Sequence, residues 1–231
     1  MDKFKGEEQV VRDFVSKKIA RITQTISTRD AYFGPSAFVD LIHSLQLAIS
    51  GAQISLAAPL SFDASINEGD ITVGDMFGLY KYENMLYTMR LKGKELKQLL
   101  EMSYALWTNQ MSSSSDQFLR LRKEEYQGKE RWRFQNSSFN FDSAAGILYT
   151  IDVTKPEGEK VTISSLADGS PFDEEAFYTV ALNSYRGNGG GELITKGAGL
   201  SKEELQSRMV SATTKDLRYY MMEYIQQQEV I

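Results

Sequence analysis

Apolar residues recur every three or four positions in several parts of the chain, which is the spacing that one buried helix face requires. The opening helix is predicted from five such residues, Val11, Phe14, Val15, Ile19 and Ile22. Three further helices are predicted: one that ends near Gly51, one over 95–107 and one over 217–228. Two capping boxes, Thr72 with Asp75 and Ser201 with Glu204, predict the starts of shorter helices.

Runs rich in β-branched and aromatic residues predict strands between these helices. In the first half they are "QISLAAPL" and "NMLYTMRL". In the second half, "GILYTIDV" and "KVTISSL" form a predicted hairpin, and "FYTVALN" is a third strand. Helices and strands are mixed without strict βαβ alternation, so the pattern predicts an α+β fold of layered mixed sheets flanked by helices.

The segment 108–138 interrupts this pattern. It contains "SSSS" and then "LRLRKEEYQGKERWRF", which is dense in basic and aromatic residues. Such interleaving is found where proteins stack on nucleic acid, but Glu124, Glu125 and Glu130 lie among the arginines. We therefore expect a solvated, partly ordered polar insertion within a single domain that spans 1–231.

The composition excludes several classes of site. A net charge of -5 argues against a partner that is a nucleic acid polymer. The chain has no cysteine, which removes disulfides, thiolate catalysis and cysteine metal sites. Its one histidine, His43, shares a helix side with Asp40 and Leu47, so we predict a surface histidine and neither a histidine-rich metal centre nor a Ser-His-Asp triad.

No part of the sequence indicates a membrane segment. No run approaches the roughly 20 apolar residues that span a bilayer. The start, "MDKFKGEEQVVRDFV", lacks the apolar centre of a signal peptide. We expect no membrane span and, if the protein is exported, a signal that lies outside this sequence.

The stretch "ALNSYRGNGGGELIT", residues 181–195, is the most informative motif. It is not a Walker A loop, because no Lys-Ser or Lys-Thr follows the glycines, and it does not match G-x-G-x-x-G. Its glycines allow either a close ligand contact or the close approach of another strand. Tyr185 and Arg186 add a stacking surface and a cation suited to phosphate.

A second aromatic cluster lies in "NSSFNFDSAAG", residues 136–146. Strand alternation would point Phe139 and Phe141 to one side and Asn140 and Asp142 to the other. The polar context leaves two interpretations open. Either both phenylalanines belong to the core, or one of them is exposed in a site.

Three stretches together carry a family resemblance: "ISLAAPLSFDASINEGDITVGDMFGLYKYENMLYTMRLKGKELKQLLE", "SSFNFDSAAGILYTIDV" and "YTVALNSYRGNGGG". They resemble the C-terminal, substrate-specificity domain of the 5'-nucleotidases. The branch to which they are most similar is the 2',3'-cyclic-nucleotide 2'-phosphodiesterase/3'-nucleotidase type. The likeness runs from about Val10 to the C-terminus.

The resemblance implies a division of labour. In that family an N-terminal metallophosphatase domain supplies a divalent metal pair and the attacking water. The C-terminal domain holds the nucleoside between two aromatic rings and delivers the phosphate by domain rotation. The positions that match the rings are Phe139 and Tyr185. The other implied pocket residues are Asn183, Arg186, Asn140, Asp142, Gly187, Gly189, Gly190 and Gly191.

The sequence also departs from the family pattern at two places. Residues 58–63 read "APLSFD", where the 5'-nucleotidase branch has a loop that ends in a phosphate-binding arginine. Residues 82–84 read "YEN" in place of phenylalanine-glycine-asparagine. A preference for 5'-monophosphates is therefore not implied.

The resulting expectation is a nucleotide- or nucleoside-recognition domain of a bacterial hydrolase of nucleotide phosphate esters, active in nucleotide catabolism. The metallophosphatase domain would act in cis or in trans and carry the metal pair, while this chain would hold no catalytic residue, metal or cofactor. The resemblance implies a periplasmic, cell-envelope or secreted location. Two alternatives stay open: a stand-alone nucleoside-binding module, and a structural domain whose aromatic residues are core.

Overall fold

The computed structural model describes residues 2–228 and 230–231. Its helices are α1 Asp2–Val15, α2 Ala37–Ser50, α3 Val73–Leu79, α4 Gly93–Trp107, α5 Ser184–Gly187, α6 Lys202–Arg208 and α7 Leu217–Gln228. Its strands are β1 Lys18–Ile22, β2 Ile26–Ser27, β3 Ile54–Ala57, β4 Ser65–Ile66, β5 Gly69–Thr72, β6 Met85–Lys92, β7 Leu121–Tyr126, β8 Lys129–Phe134, β9 Ser143–Ala145, β10 Ile147–Ile151, β11 Val161–Leu166, β12 Phe177–Asn183 and β13 Met209–Asp216.

A five-stranded mixed sheet organises the molecule. Its strand order is β13-β6-β12-β3-β9, in which β12 and β3 run parallel and the other pairs are antiparallel. Successive side chains of β12 point to opposite faces of the sheet. Ala181 packs in a core shared with α2, α3 and α7, whereas Val180 and Leu182 pack in a second core under α4. Helices therefore cover both faces of the sheet, and the α+β prediction is confirmed.

Local capping signals determine where the helices begin and end. The Ser36 side chain accepts a hydrogen bond from the Val39 N–H at the start of α2, and Gly51 ends that helix with a left-handed φ of 63°. Thr72 with Asp75 and Ser201 with Glu204 form complete capping boxes at α3 and α6. The helix ends were predictable because each depends on residues that are neighbours in the sequence.

The opening helix is shorter than predicted. It ends at Val15, while Ile19 and Ile22 lie on strand β1, which pairs antiparallel with β5. Helical spacing alone did not separate the helix from the strand. Ile19 and Ile22 fit the helical pattern, but they are buried as part of β1, which pairs with β5. Val11 and Phe14, predicted as a buried face, are 59 % and 57 % exposed.

The segment 108–138 is ordered, contrary to the prediction of a partly ordered insertion. Its centre is the hairpin β7–β8, whose six residue pairs run from Leu121 opposite Phe134 to Tyr126 opposite Lys129. Gln127 and Gly128 form the two-residue turn, both with positive φ, which is the geometry that a tight hairpin turn favours. Most of its side chains are exposed, as predicted, and Glu124 accepts a hydrogen bond of 2.6 Å from Arg131.

His43 is buried, contrary to the prediction of a surface histidine. Only 3 % of it is exposed. Its Nδ1 lies 2.9 Å from the Ser55 hydroxyl on β3, and its Nε2 lies 3.1 Å from the Ser143 hydroxyl on β9. Two neighbouring strands of the sheet supply polar partners to a helix side that the apolar pattern alone assigns to solvent.

The buried imidazole makes stability depend on pH. Burial lowers the pKa of His43 from 6.5 to about 4, so the unfolded chain binds a proton that the folded chain excludes. The free energy of unfolding should therefore decrease as pH falls from 6.5 to 4, by about 3 kcal/mol from this group. Denaturant titrations at pH 7 and pH 4 test this, and His43→Gln should remove that part of the pH dependence. An unchanged pH dependence in the variant would contradict the assignment.

The helices offer no candidate membrane segment. Within residues 2–228, none is both long enough and apolar enough to cross a bilayer. The longest helices, α1, α2 and α4, have 14, 14 and 15 residues, against the roughly 20 that a span requires.

Candidate functional site

The topology brings the two sequence motifs to one edge of the central sheet. Strand β12 runs parallel to β3 and ends at Asn183. Strand β9 runs antiparallel to β3 and begins at Ser143. The end of β12 and the start of β9 therefore lie at the same edge, and the segments 138–142 and 184–191 meet there.

The two predicted stacking rings are neighbours at this edge. The ring centroids of Phe139 and Tyr185 are 5.9 Å apart, with the planes at 89°. Tyr185 is 41 % exposed, whereas Phe139 is half-buried and contacts Tyr82 on another side, at 6.4 Å between centroids. The rings are thus in edge-to-face contact.

Phe139 and Phe141 have separate roles. Phe141 is fully buried and stacks on Trp107, with ring centroids 5.6 Å apart and planes at 9°. The predicted strand alternation fails because residues 138–140 form a turn of 3-10 helix, which rotates successive side chains differently. Phe141 is therefore core, whereas Phe139 is half-buried and packs against the first core at the sheet edge.

A base stacked between the two rings requires more space than this arrangement leaves. Atoms in contact sit roughly 3.5 to 4.0 Å apart, so two parallel rings around one base need a separation of about 7 to 8 Å, against the 5.9 Å observed. Tyr185 is the more exposed of the two rings. In the described arrangement the two rings contact each other and leave no space for a base between them.

Arg186 connects the two segments from beneath. Its side chain is 1 % exposed, and its Nε and Nη2 donate to the two carboxylate oxygens of Asp142 at 2.8 and 3.0 Å. Nη2 also donates to the Phe139 carbonyl at 2.9 Å, and Nη1 donates to the Gly190 carbonyl. One guanidinium thus holds the backbone next to both rings.

Arg186 and Asp142 bind each other in this structure, and their predicted contact with a ligand stays a prediction. Both side chains are buried, and the donors of Arg186 are occupied by protein acceptors. The Asn140 side-chain oxygen accepts from Arg186 at 3.3 Å, and that of Asn183 accepts from the Arg186 backbone N–H at 2.9 Å. These bonds connect the four residues to one another and to the segments that carry Phe139 and Tyr185.

The glycine loop packs against side chains of the protein itself. A Cβ at Gly187 would lie 2.6 Å from the Tyr87 ring, one at Gly190 would lie 2.5 Å from the Tyr185 ring, and one at Gly191 would lie 1.9 Å from Asn140 Oδ1. Gly189 and Gly191 also have positive φ, 90° and 67°. The glycines are needed for this close packing; their contact with a ligand stays a prediction.

Gly190→Ala should therefore disturb the ring site. We expect a loss of about 1 to 3 kcal/mol in the free energy of unfolding, because the new methyl group overlaps both the Tyr185 ring and its carbonyl oxygen. Denaturant unfolding measures this directly. Gly78→Ala is the matched control, since open space surrounds that helical position and alanine favours helix. An equal free energy of unfolding for the two variants would contradict the prediction, because the loop would then accommodate the added methyl group.

Sequence reasoning missed two tyrosines, Tyr80 and Tyr82, which lie between α3 and β6. Tyr82 contacts Phe139, and its position within "YEN" was noted only as a departure from the family. Tyr80 is 1 % exposed, and within the described residues its hydroxyl is buried without a hydrogen bond of good geometry, beside Asn84 and Asn183. Burial raises the pKa of that phenol. No local sequence signal identifies Tyr80.

Comparison with known proteins gives consistent results. A family model described as 5'-nucleotidase, C-terminal domain, matches residues 17–196. The trifunctional nucleotide phosphoesterase YfkN of Bacillus subtilis is 27 % identical over 182 residues, covering 74 % of this chain and 11 % of that protein. The 2',3'-cyclic-nucleotide 2'-phosphodiesterase/3'-nucleotidase of Salmonella typhimurium is 28 % identical over 218 residues, covering 80 % of this chain and 32 % of that protein. The chain spans a third or less of the length of these curated relatives.

Solved structures share the fold. The 5'-nucleotidase precursor of Thermus thermophilus aligns with a TM-score of 0.71 at 22 % identity, covering 100 % of this chain and 40 % of that one. The NAD nucleotidase of Haemophilus influenzae aligns with a TM-score of 0.62 at 16 % identity, covering 100 % and 39 %. At these identities the likeness concerns the fold.

Proposed function

We propose, because the chain belongs to the 5'-nucleotidase C-terminal domain family, that it is the nucleoside-recognition part of a bacterial hydrolase of nucleotide phosphate esters. The observation that carries the proposal is the pair Phe139 and Tyr185, which lie 5.9 Å apart at one sheet edge. An aromatic ring stacks on any base, for roughly 1 to 3 kcal/mol per base. The site would open when Tyr185 rotates and admits the base between the rings.

The proposed role of Arg186 is to set the positions of the rings. Its bonds to Asp142 and to the Phe139 and Gly190 carbonyls link the two ring-bearing segments across the sheet edge. Asn140, Asn183 and the glycine loop would limit the ways in which the ribose approaches. The exposed face of Tyr185 is what distinguishes this proposal from a structural domain with purely core aromatics.

Hydrolysis in this proposal depends on a metallophosphatase domain, in cis or in trans. A divalent metal pair there would generate the attacking hydroxide and stabilise the leaving oxygen, and this domain would deliver the ester. The stand-alone binding module is less favoured, because the curated relatives are named as phosphoesterases. We also propose a periplasmic, cell-envelope or secreted location, as the family resemblance implies, and a role in nucleotide catabolism.

The base should contribute more to binding than the phosphate. Arg186, the cation expected for phosphate, is neutralised by Asp142, and residues 58–63 contain no arginine. We therefore expect adenosine, adenosine 3'-monophosphate and adenosine 5'-monophosphate to bind this chain with affinities within about threefold of one another, a difference below 1 kcal/mol.

Calorimetric titration with these three ligands tests the proposal, with ribose 5-phosphate as the control that lacks a base. Saturable binding of the three adenine compounds and none of ribose 5-phosphate is the expected result. Absence of binding by all three, or equal binding of ribose 5-phosphate, would contradict base stacking as the source of affinity.

A further inference from the structure

A second concave site lies beyond the open edge of the central sheet. It is a cavity of about 780 Å³ next to β9, between α2 on one side and α4 on the other, with β10 and residues 31–36 completing its walls. Pockets that hold small molecules have volumes of roughly 300 to 1,000 Å³. None of the residues of the two-ring site, Phe139, Asn140, Asp142, Asn183, Tyr185 and Arg186, lines it.

Five aromatic residues contribute to the walls of this cavity: Phe33, Tyr104, Trp107, Phe118 and Tyr149. Tyr104 and Trp107 of α4 stack on each other, with ring centroids 4.8 Å apart and planes at 10°. Phe33 and Phe118 face each other across another part of the wall, at 6.0 Å and 28°. Phe33 is 69 % exposed, so its ring is accessible to a ligand from solvent.

The lining of the cavity carries negative charge only. Of the described residues around the cavity, only Asp40 carries a charge, and its carboxylate is exposed in the first turn of α2. The neighbouring His43 is bound to the Ser55 and Ser143 hydroxyls and stays neutral at pH 7, because burial lowers its pKa to about 4. An anionic ligand such as a nucleotide finds no cation in this lining.

Aromatic faces beside a single carboxylate favour a particular ligand chemistry. Ring faces attract cations within about 6 Å of the centroid, and the carboxylate adds an ion pair. We infer that this cavity binds a small organic cation that carries an aromatic ring, with its ammonium group at Asp40 and its ring against Phe33 and Phe118. The site is separate from the proposed nucleoside site and has the opposite charge preference.

An extended peptide is a poorer occupant, although β9 is an edge strand. The Ala144 N–H, which faces away from β3, already donates to the Tyr149 hydroxyl at 3.2 Å. The Gly146 carbonyl accepts from the Ala167 N–H at 2.9 Å. A strand added to this edge would lack these two partners.

Three ligands that share an indole ring test the inference. Tryptamine is a cation, tryptophol is neutral, and indole-3-acetate is an anion. Dissociation constants for the whole chain, measured by ligand-observed NMR, should rise in that order, with tryptamine bound about fivefold more tightly than tryptophol, as one exposed ion pair allows. Equal affinities, a preference for the anion, or no saturable binding of tryptamine would overturn the inference.

Variants locate the binding. Asp40→Asn should remove the preference for tryptamine over tryptophol, and Phe33→Ala should weaken both; each residue is exposed, so both variants should fold. Tyr185→Ala should leave tryptamine binding unchanged, since that ring lies in the other site. Loss of tryptamine binding in Tyr185→Ala, or unchanged binding in both Asp40→Asn and Phe33→Ala, would place the probe elsewhere and overturn the inference.

Discussion

Arg186→Ala is expected to reduce the free energy of unfolding by about 3 to 5 kcal/mol. The change leaves the Asp142 carboxylate, 3 % exposed, without its bidentate partner, and an uncompensated buried charge carries a penalty of that size. It also leaves the Phe139 and Gly190 carbonyls without their donor. Chemical denaturation at pH 7 measures the loss.

An exposed ion pair of similar length provides the matched control. Arg29 donates to Asp63 at 2.8 Å, with side chains that are 64 % and 58 % exposed, so Arg29→Ala should cost less than about 1 kcal/mol. Arg186→Lys should fall between the two, because lysine keeps the charge and loses the planar fork. If Arg186→Ala and Arg29→Ala lowered the free energy of unfolding equally, the buried Arg186–Asp142 pair would contribute no more to stability than an exposed pair.

Tyr185→Ala is expected to weaken adenosine binding by about fivefold to 150-fold, the equivalent of the roughly 1 to 3 kcal/mol that one stacked ring contributes. The ring is 41 % exposed, so the free energy of unfolding should change by less than about 1 kcal/mol. Calorimetric titration together with denaturant unfolding separates the two effects.

Tyr126→Ala is the control for this second experiment. Tyr126 is a tyrosine of the β7–β8 hairpin, 51 % exposed and outside both proposed sites. Its replacement should leave adenosine binding unchanged. Unfolding of Tyr185→Ala would assign the ring to the core, and unchanged adenosine binding in that variant would remove Tyr185 from the site.

Elements encoded by neighbouring residues were predictable from the sequence. The capping boxes of α3 and α6 and the end of α2 at Gly51 depend on residues within four positions of one another, and these three signals were identified from the sequence. The α+β class followed from the order of helical and strand patterns. The boundary between α1 and β1 was missed, because the burial of Ile19 and Ile22 depends on the pairing of β1 with β5, about 50 residues further along.

The family resemblance predicted Phe139 and Tyr185 as the two stacking rings, and in the structure these two rings contact each other. The role of Arg186 was not predictable, because its partner Asp142 is 44 positions away and only the folded sheet brings the two together. The same reasoning explains His43, whose partner Ser143 lies 100 positions away. Buried polar residues are the ones whose positions the apolar pattern predicts least well.

A crystal structure of this chain with adenosine is the most direct test of the central claim, which is that the base binds between the two rings. The account predicts the adenine between parallel Phe139 and Tyr185 rings, with their centroids about 7 to 8 Å apart in place of the 5.9 Å edge-to-face contact, and with the Arg186–Asp142 pair unchanged beneath. Adenosine bound elsewhere, with these two rings still edge to face, would contradict it.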